Sequence, residues 1–134
     1  MRDLKDTVAW ITGAGTGIGE GAAVAMAREG AKVILTGRRM DPLEQVSKKI
    51  EGAGGFVEIA QGDAMDRPGM MALAKDIQNR YGKLDLLFNN HGINITNRNW
   101  GGGNLEGWDE VIDVNVKGAY NCALAALEVM RPQD

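Results

Sequence analysis

Residues 12–19 of the chain read TGAGTGIG, and this stretch decides the fold. It follows an apolar run, residues 7–11, that predicts a buried strand. It precedes residues 20–29, which predict a helix ended by Gly30. A strand, a glycine-rich turn and a helix N-terminus together form an anion cradle. Glycine lets the backbone approach a phosphate, and the helix presents free N–H groups to it.

The glycine spacing indicates which kind of phosphate site this is. The common dinucleotide fingerprint, G-x-G-x-x-G, would need a glycine at the position of Ile18. The glycines fit T-G-x-x-x-G-x-G instead, through Gly13, Gly17 and Gly19. No Lys followed by Ser or Thr ends the turn, which excludes a P-loop. We predict that the three glycines cradle a pyrophosphate, with Thr16 and Ile18 beside it. An ordinary strand-to-helix turn, the alternative, does not need three spaced glycines.

Length and composition fit one globular domain, residues 1–134, with a formal net charge of -3 and 44% hydrophobic residues. No run is long and apolar enough to span a bilayer, and the first six residues are too polar for a signal peptide. A mildly acidic chain without a basic stripe argues against nucleic-acid binding. Cys122 is the one cysteine, so no intrachain disulfide can form. We therefore expect a cytoplasmic protein, with neither membrane nor nucleic acid as partner.

Strand and helix patterns alternate along the whole chain. Strands are predicted at about 7–12, 31–36, 55–60 and 84–88. Helices are predicted at about 18–29, 41–52, 66–81 and 106–130. The second of these helices would be capped by Asp41, with Pro42 at its first position and Gly52 at its end, and the third would be capped by Asp66 and end near Tyr81. This order predicts a parallel sheet with right-handed crossovers and helices on both faces. In a doubly wound sheet strand 1 lies between strands 2 and 4, and a dinucleotide binds at the crevice there.

Four motifs in this order resemble those of the short-chain dehydrogenase/reductase family. Besides the glycine turn, residues 63–66 (DAMD) resemble its adenine-binding segment and residues 89–92 (NNHG) its N-N-A-G motif. Asn115, within residues 114–118 (VNVKG), resembles its active-site asparagine. The resemblance spans the chain and implies a Rossmann-type doubly wound sheet. It also implies an oxidoreductase that passes a hydride between a nicotinamide cofactor and an alcohol or carbonyl substrate.

The end of the second predicted strand bears on the choice of cofactor. NAD-binding proteins commonly place an acidic residue here to hold both ribose hydroxyls, and Gly37 occupies that approximate place. Because Gly37 leaves room and brings no negative charge, Arg38 can pair with a 2′-phosphate through a charge-assisted hydrogen bond. Arg39 can stack on the adenine or assist. Two solvated arginines at a strand end are the alternative. We predict NADP(H), with NAD as the second choice.

Two further segments are assigned to the cofactor by the resemblance. Asp63 would accept a hydrogen bond from the adenine amino group and Ala64 would offer its backbone N–H; alternatively, Asp63 merely begins the turn before the next helix. Asn90 would tie neighbouring strands through bonds to the backbone, and Gly92 would admit the ribose. His91, assigned here with its neighbours, replaces the family's usual alanine. A lone His without a nearby carboxylate or Cys does not indicate a metal site, and no metal is predicted.

Asn115 is the candidate catalytic residue. It shares one helical stripe with Trp108, Ile112 and Ala119, which predicts that it faces inward, where a buried amide needs partners. In the family, the matching asparagine helps to hold a water in a proton relay to the active-site lysine. A structural asparagine bonded to nearby backbone is the alternative.

The polar, glycine-rich loop at residues 94–104 is expected beside the nicotinamide end of the cleft. Its Arg98 and Trp100 are candidates for substrate contact. A loop that is merely exposed is the alternative.

The resemblance breaks at the proton-transfer residues. The family uses a serine and a Tyr-x-x-x-Lys pair, whereas Asp85 and Leu124 follow Tyr81 and Tyr120 at the lysine position. We therefore expect an incomplete domain, ending after the fourth strand–helix unit, that is the cofactor-binding half of an oxidoreductase. An uncovered fourth strand would expose a long apolar edge and favour a homo-oligomer. A non-catalytic nucleotide-binding module remains the alternative, and a methyltransferase is disfavoured by Gly37 and by residues 89–92.

Overall fold

A computed structural model of the protein describes residues 3–97 and 99–133. Strands and helices alternate along the chain, as the sequence predicts. The elements are β1 (Val8–Thr12), α1 (Gly17–Arg28), β2 (Lys32–Thr36), α2 (Met40–Gly52), β3 (Phe56–Ile59), α3 (Arg67–Tyr81), β4 (Leu86–Phe88), α4 (Leu105–Ile112), a π-helical turn (Asp113–Lys117) and α5 (Gly118–Met130), with short 3₁₀ turns at Trp100–Gly102 and Arg131–Gln133.

The four strands form one parallel sheet in the order β3-β2-β1-β4. Strand β1 therefore lies between β2 and β4, which confirms the predicted doubly wound order. Successive residues of β1 point to opposite faces, and both faces are covered, so all five residues of the strand are buried.

Two hydrophobic layers lie on the two faces of the sheet. On one face, Ala9 and Ile11 of β1 share a cluster with α1 and α2. On the other face, Val8 and Trp10 share a cluster with α3 and α5. Successive residues of β1 therefore belong to hydrophobic layers on opposite faces of the sheet. Trp10 is fully buried, and its indole N–H donates to Thr36 Oγ1 at 2.9 Å, so its polar atom is satisfied inside the core.

The predicted helix caps have different outcomes. Asp66 caps α3, since its carboxylate accepts a hydrogen bond from Gly69 N at 3.0 Å, and this prediction is confirmed. The prediction for α2 is wrong. That helix begins at Met40 with Arg39 at the N-cap, so Asp41 and Pro42 lie within its first turn. Proline is accepted there because first-turn N–H groups have no partner within the helix.

The prediction of one regular helix over 106–130 is wrong in its middle. Helix α4 ends at Ile112, and the π turn connects it to α5. Hydrogen bonds in a π turn span five residues rather than four, so the faces of α4 are rotated relative to those of α5. The predicted inward stripe is therefore broken: Ile112 is 57% exposed, whereas Asn115 is only half-buried.

The predicted long apolar edge is shorter than expected. Among the described strands β4 has β1 as its neighbour and lies at the edge of the sheet, but it has three residues, all half-buried. The exposed apolar side chains of the last helix are the larger surface: Val116 is 61% exposed and Tyr120 56% exposed. These side chains are the candidates for the association expected from the sequence, which stays a prediction.

Cys122 provides a test of the packing between α5 and the sheet. Its side chain is fully buried, and burial raises the pKa of the thiol to about 11 from its ordinary value of 9.0. Because the thiolate is the reactive form, this shift alone reduces reactivity at pH 8 by about 100-fold. We expect iodoacetamide to alkylate folded chain at least that much more slowly than chain in concentrated urea. Comparable rates in both states, measured by mass spectrometry, would contradict this packing.

Candidate functional site

A cleft of about 380 Å³ lies at the carboxyl ends of β1, β2 and β4, beside the start of α1. This is the switch point of the sheet, because the chain leaves β1 toward β2 on one side and returns to β4 on the other. Ligands of open α/β sheets bind at such a point. Of the residues assigned to the cofactor, those that line the cleft are Gly13, Thr16, Gly17, Ile18, Arg38, Arg39, Asp63, Ala64, Asn90, His91 and Gly92.

The glycine turn uses its three glycines in three different ways. Gly13 has φ +61°, and a Cβ there would lie 2.7 Å from the Cα of His91, so the backbones approach too closely for a side chain. Gly17 also has a left-handed φ, +59°, yet a Cβ would meet no heavy atom within 4 Å among the described residues. Gly19 is buried, and a Cβ there would overlap the carbonyl oxygen of Gly13. The open space at Gly17 is therefore the part of the turn that a ligand can approach.

The start of α1 faces the cleft. Thr16 is its N-cap and Gly17 its first residue, and both line the cleft. Ile18 is 75% exposed there. The first N–H groups of a helix have no partner within the helix and carry the positive end of its dipole. The arrangement suits a phosphate or another anion.

The end of β2 places two cations at the cleft. Arg38 and Arg39 line it with exposed side chains, and Gln61 Nε2 donates to the carbonyl of Arg38 at 2.9 Å. A Cβ at Gly37 would lie 3.3 Å from Leu43 Cδ2, so a larger residue there would press on the core of α2. With glycine at position 37 and two arginines after it, this wall of the cleft is rich in positive charge.

Asp63 and Ala64, in the segment between β3 and α3, line the cleft. Asp63 Oδ1 accepts a hydrogen bond from Met65 N at 2.9 Å, so this carboxylate shapes the turn before α3, the alternative role considered from the sequence. Its second oxygen can still accept a bond from a ligand. Ala64 is 8% exposed, and its carbonyl accepts a hydrogen bond from Asn121 Nδ2 at 2.9 Å. Its backbone N–H is the group that could donate to a ligand in the cleft.

Residues 89–93, after β4, join the cleft to the last helix. Asn90 Nδ2 donates to the carbonyl of Gly13 at 3.2 Å, so this asparagine ties the ends of β4 and β1, as the motif predicts. Asn89 Nδ2 donates to the carbonyl of Ala119 at 2.8 Å. One asparagine therefore holds the turn after β1 and the other holds α5.

The imidazole of His91 is occupied on both nitrogens. Nε2 lies 3.1 Å from the carbonyl oxygen of Val114, and Nδ1 lies 3.3 Å from Thr12 Oγ1. A carbonyl only accepts, so Nε2 carries a proton. Nδ1 faces the Thr12 hydroxyl, whose single proton is within reach of both Nδ1 and the carbonyl of Phe88. Among the described residues no group of three His, Cys, Asp or Glu side chains could hold a metal ion. The contacts of His91 are thus those of a structural residue at the cleft wall.

Asn115 lies behind the cleft rather than in its lining, where Val114 stands instead. Its Oδ1 accepts from Ile93 N at 2.8 Å and its Nδ2 donates to Ile93 O at 3.0 Å. The side chain therefore forms two bonds to the backbone of one residue, the structural arrangement named as the alternative from the sequence. Each amide atom keeps one further hydrogen-bonding position.

Thr12 is a site residue that the sequence analysis missed. Its hydroxyl oxygen accepts from Asn90 N at 3.0 Å and from His91 N at 3.2 Å, and it lies 3.4 Å from the carbonyl of Phe88. A buried threonine at the carboxyl end of a strand was the available signal, because such a hydroxyl needs partners. It organises the segment that follows β4.

The predicted substrate residues have different outcomes. Trp100 is 92% exposed and stacks on Trp108 with 5.6 Å between ring centroids, and it does not line the cleft within the described part of the chain. Arg98 lies outside the described residues. Helices long and apolar enough to cross a membrane are absent from residues 3–97 and 99–133.

The strand order, the glycine turn and the switch-point cleft define a Rossmann-type α/β fold. A family model described as short chain dehydrogenase matches residues 7–134, and the chain belongs to that family.

Similar proteins agree with this assignment. The chain is 37% identical over 133 residues to an uncharacterized oxidoreductase of Staphylococcus aureus strain N315, covering 99% of the chain and 56% of that relative. It resembles the crystal structure of a short-chain type dehydrogenase/reductase from Mycobacterium marinum with a TM-score of 0.91 and 32% identity, over 98% of the chain and 53% of that protein. A metagenomic short-chain oxidoreductase in complex with NADP gives a TM-score of 0.83 and 32% identity, over 96% and 57%. The chain spans about half the length of the curated relatives it matches.

Three alanine substitutions separate the roles of glycines in and near the turn. Gly17→Ala adds backbone strain alone and should destabilise the chain by ~1–2 kcal/mol. Gly13→Ala adds the same strain and a clash with the backbone of His91, for a total of ~2–5 kcal/mol. Gly21→Ala, in an open helical position of α1, is the control and should stabilise the chain by ~0.5–1 kcal/mol. Urea unfolding measures all three. Equal losses for Gly13→Ala and Gly17→Ala would contradict the close approach of Gly13 to His91.

Proposed function

We propose that residues 1–134 form the cofactor-binding half of an NADP(H)-dependent oxidoreductase acting on a small alcohol or carbonyl compound. One observation carries the proposal: the switch-point cleft brings together the glycine turn, the arginines after β2 and residues 90–92. The similar metagenomic protein bound to NADP supports it. When bound, the nicotinamide supplies the group that gives or takes the hydride.

Each wall of the cleft fits one part of a dinucleotide. The residues at the start of α1, Thr16 to Ile18, offer N–H groups for the pyrophosphate. Asp63 and Ala64 suit the adenine, with the free carboxylate oxygen as an acceptor and the backbone N–H as a donor. Asn90 and Gly92 line the part of the cleft that suits the nicotinamide ribose.

NADP(H) is preferred to NAD(H) because of charge at the end of β2. A 2′-phosphate needs cations, and Arg38 and Arg39 are exposed at the cleft beside Gly37. Gly37 stands in the approximate place of the acidic residue that would repel a phosphate and hold two ribose hydroxyls.

Asn115 is proposed to serve a proton relay in the complete enzyme. Its two bonds to Ile93 hold the amide in one orientation. One hydrogen of Nδ2 and one lone pair of Oδ1 are left for a water molecule. The residue would therefore act from just behind the cleft and not by contact with the substrate.

A non-catalytic nucleotide-binding module is the second candidate function. The positions of the two tyrosines support it, because neither is placed to act as an acid or base at the cleft. Tyr81 donates its hydroxyl to the carboxylate of Glu58 at the β3 edge, far in the sheet order from the switch point. Burial and this hydrogen bond raise the pKa of Tyr81 to about 12, which is the wrong direction for an acid–base group. Tyr120 is exposed on α5, with the guanidinium of Arg67 over its ring.

We further propose a homo-oligomer, with β4 and the exposed side chains of the last helix at the contact, and a cytoplasmic location. Val116 and Tyr120 expose apolar surface that a partner would cover. The single buried thiol of Cys122 suits a reducing compartment.

Replacing Arg38 tests the choice of cofactor. Arg38→Ala removes a phosphate contact of ~1.5–3 kcal/mol and should weaken NADPH binding about ten-fold or more, with little effect on NADH. Arg28→Ala is the matched control, because it removes the same charge from an exposed site at the far end of α1. Fluorescence titration of both cofactors against the three proteins gives the dissociation constants. Equal loss for NADPH and NADH would refute the 2′-phosphate contact.

Assays of the purified chain test whether it binds the cofactor without catalysing hydride transfer. We expect NADPH to bind, weakly, without turnover of simple ketones, aldehydes or alcohols, because neither tyrosine has the lysine partner that general acid–base catalysis in the family needs. Such catalysis is typically worth about 10²–10⁴-fold in rate. Absorbance of the reduced nicotinamide measures turnover. Turnover that disappears in Gly17→Trp would show that the chain holds a proton donor other than those considered.

A further inference from the structure

The segment after β4 contacts the last helix through alternate residues. Asn89, His91 and Ile93 bond to Ala119, Val114 and Asn115 in turn. Asn90, between them, bonds instead to the turn after β1. Asn89 and His91 make these contacts through their side chains, whereas Ile93 makes its contact through its backbone N–H and C=O. The middle contact comes from a side chain, His91, that stands where the family's motif usually has alanine.

The contact of His91 falls on the π turn itself. Val114 lies within the turn, Asp113–Lys117, and its carbonyl oxygen accepts the Nε2 proton of His91. A π turn adds one residue to a helix, and the position of that addition decides how the next side chains are oriented. Asn115 is the next residue, so a bond to Val114 fixes the orientation from which Asn115 reaches Ile93.

The opposite side of the imidazole is held by β1. Nδ1 of His91 lies 3.3 Å from the hydroxyl oxygen of Thr12, which also accepts from the N–H groups of Asn90 and His91. The ring therefore bridges the end of β1 and the π turn. A proton on Nε2 forms the bond to Val114 and leaves Nδ1 as an acceptor toward the Thr12 hydroxyl.

Gly118 leaves the space that this imidazole occupies. A Cβ at Gly118 would overlap Nε2 of His91, with Cδ2 at 3.2 Å and the Cβ of Ala64 at 3.3 Å. Gly118 is buried and has ordinary helical geometry as the first residue of α5, so the backbone does not require glycine. The imidazole of His91 requires glycine there, because it occupies the space that a Cβ would take.

We propose that His91 is a positioning residue: with Gly118 as its complement, it ties the π turn to the ends of β1 and β4 and thereby sets the orientation of Asn115. The role of Asn115 in a reaction rests on the proposed function, but the tie itself does not. Experiments on the chain without cofactor therefore test it separately. Failure of NADPH to bind would leave this proposal standing.

Two substitutions of His91 separate its two contacts. Gln can place a donor where Nε2 is and so reach Val114, whereas Asn can reproduce only the Nδ1 contact with Thr12. In ¹⁵N-labelled chain, we expect the Asn115 side-chain amide resonances to stay near their wild-type positions in His91→Gln. In His91→Asn and His91→Ala they should move toward free-amide positions. The Asn121 amide, which donates to Ala64 O from α5, is the internal control and should not move in any variant. Unchanged Asn115 resonances in His91→Ala would overturn the proposal.

A double-mutant cycle tests the complementarity of the pair. Gly118→Ala alone should lower the melting temperature by roughly 5–10 °C, because the added methyl overlaps the imidazole. In the His91→Ala background the same change should cost little or raise the melting temperature, since alanine favours a helix over glycine. Independent, additive effects of the two substitutions would refute the pairing. If Gly118→Ala alone does not fold, recovery of folding in the double variant supports it and failure to recover refutes it.

Discussion

The close approach of two backbone segments is the constraint on which the cleft depends. The turn after β1 and the segment after β4 meet at Gly13, where even a methyl group would lie 2.7 Å from the Cα of His91. The contact is possible because β1 and β4 are neighbours in the sheet although they are far apart in the sequence. Asn90 and Thr12 add hydrogen bonds across the same junction. The floor of the cleft is therefore a seam, a packed and hydrogen-bonded junction of two backbone segments. A ligand in the cleft would contact the exposed side of this seam.

The same seam extends behind the cleft to the last helix. His91 and Asn115 each join the segment after β4 to the π turn, and Asn89 joins it to α5. A π turn within a helix is rare and is frequently found at functional sites. Here it places an amide side chain against the backbone at the rear of the cleft. The polar groups nearest the proposed nicotinamide site are thus held by bonds to the backbone of other elements, which suits a rigid site on a sheet edge.

The two ends of the cleft differ in how their charge is held. At the glycine turn the positive potential comes from backbone N–H groups at the start of α1, whose geometry is set by the turn. At the end of β2 it comes from two long, exposed arginine side chains. Backbone groups bind any phosphate in the right place, whereas flexible arginines add affinity for a ligand with a further phosphate. Family membership accordingly indicates a nicotinamide cofactor in general, and the proposed preference for NADP(H) rests on the two arginines.

The sequence by itself determined the order of strands and helices and the parallel doubly wound sheet, because glycine spacing, apolar runs and the cap at Asp66 act over short distances along the chain. Of the twelve residues assigned to the cofactor, all but Gly19 line the cleft. It misplaced the start of α2, since Asp41 and Pro42 are tolerated inside a first turn as well as at its edge. Only the tertiary structure decided the π turn, the roles of Gly19 and Gly118 as space for a neighbour, and the joining of Thr12, His91 and Asn115 into one network. Apart from the approach of Gly19 to Gly13, these features arise from contacts between residues that lie tens of positions apart. A helical pattern read along the chain does not show the added residue of the π turn, because the side chain that contacts this turn, His91, comes from the segment after β4.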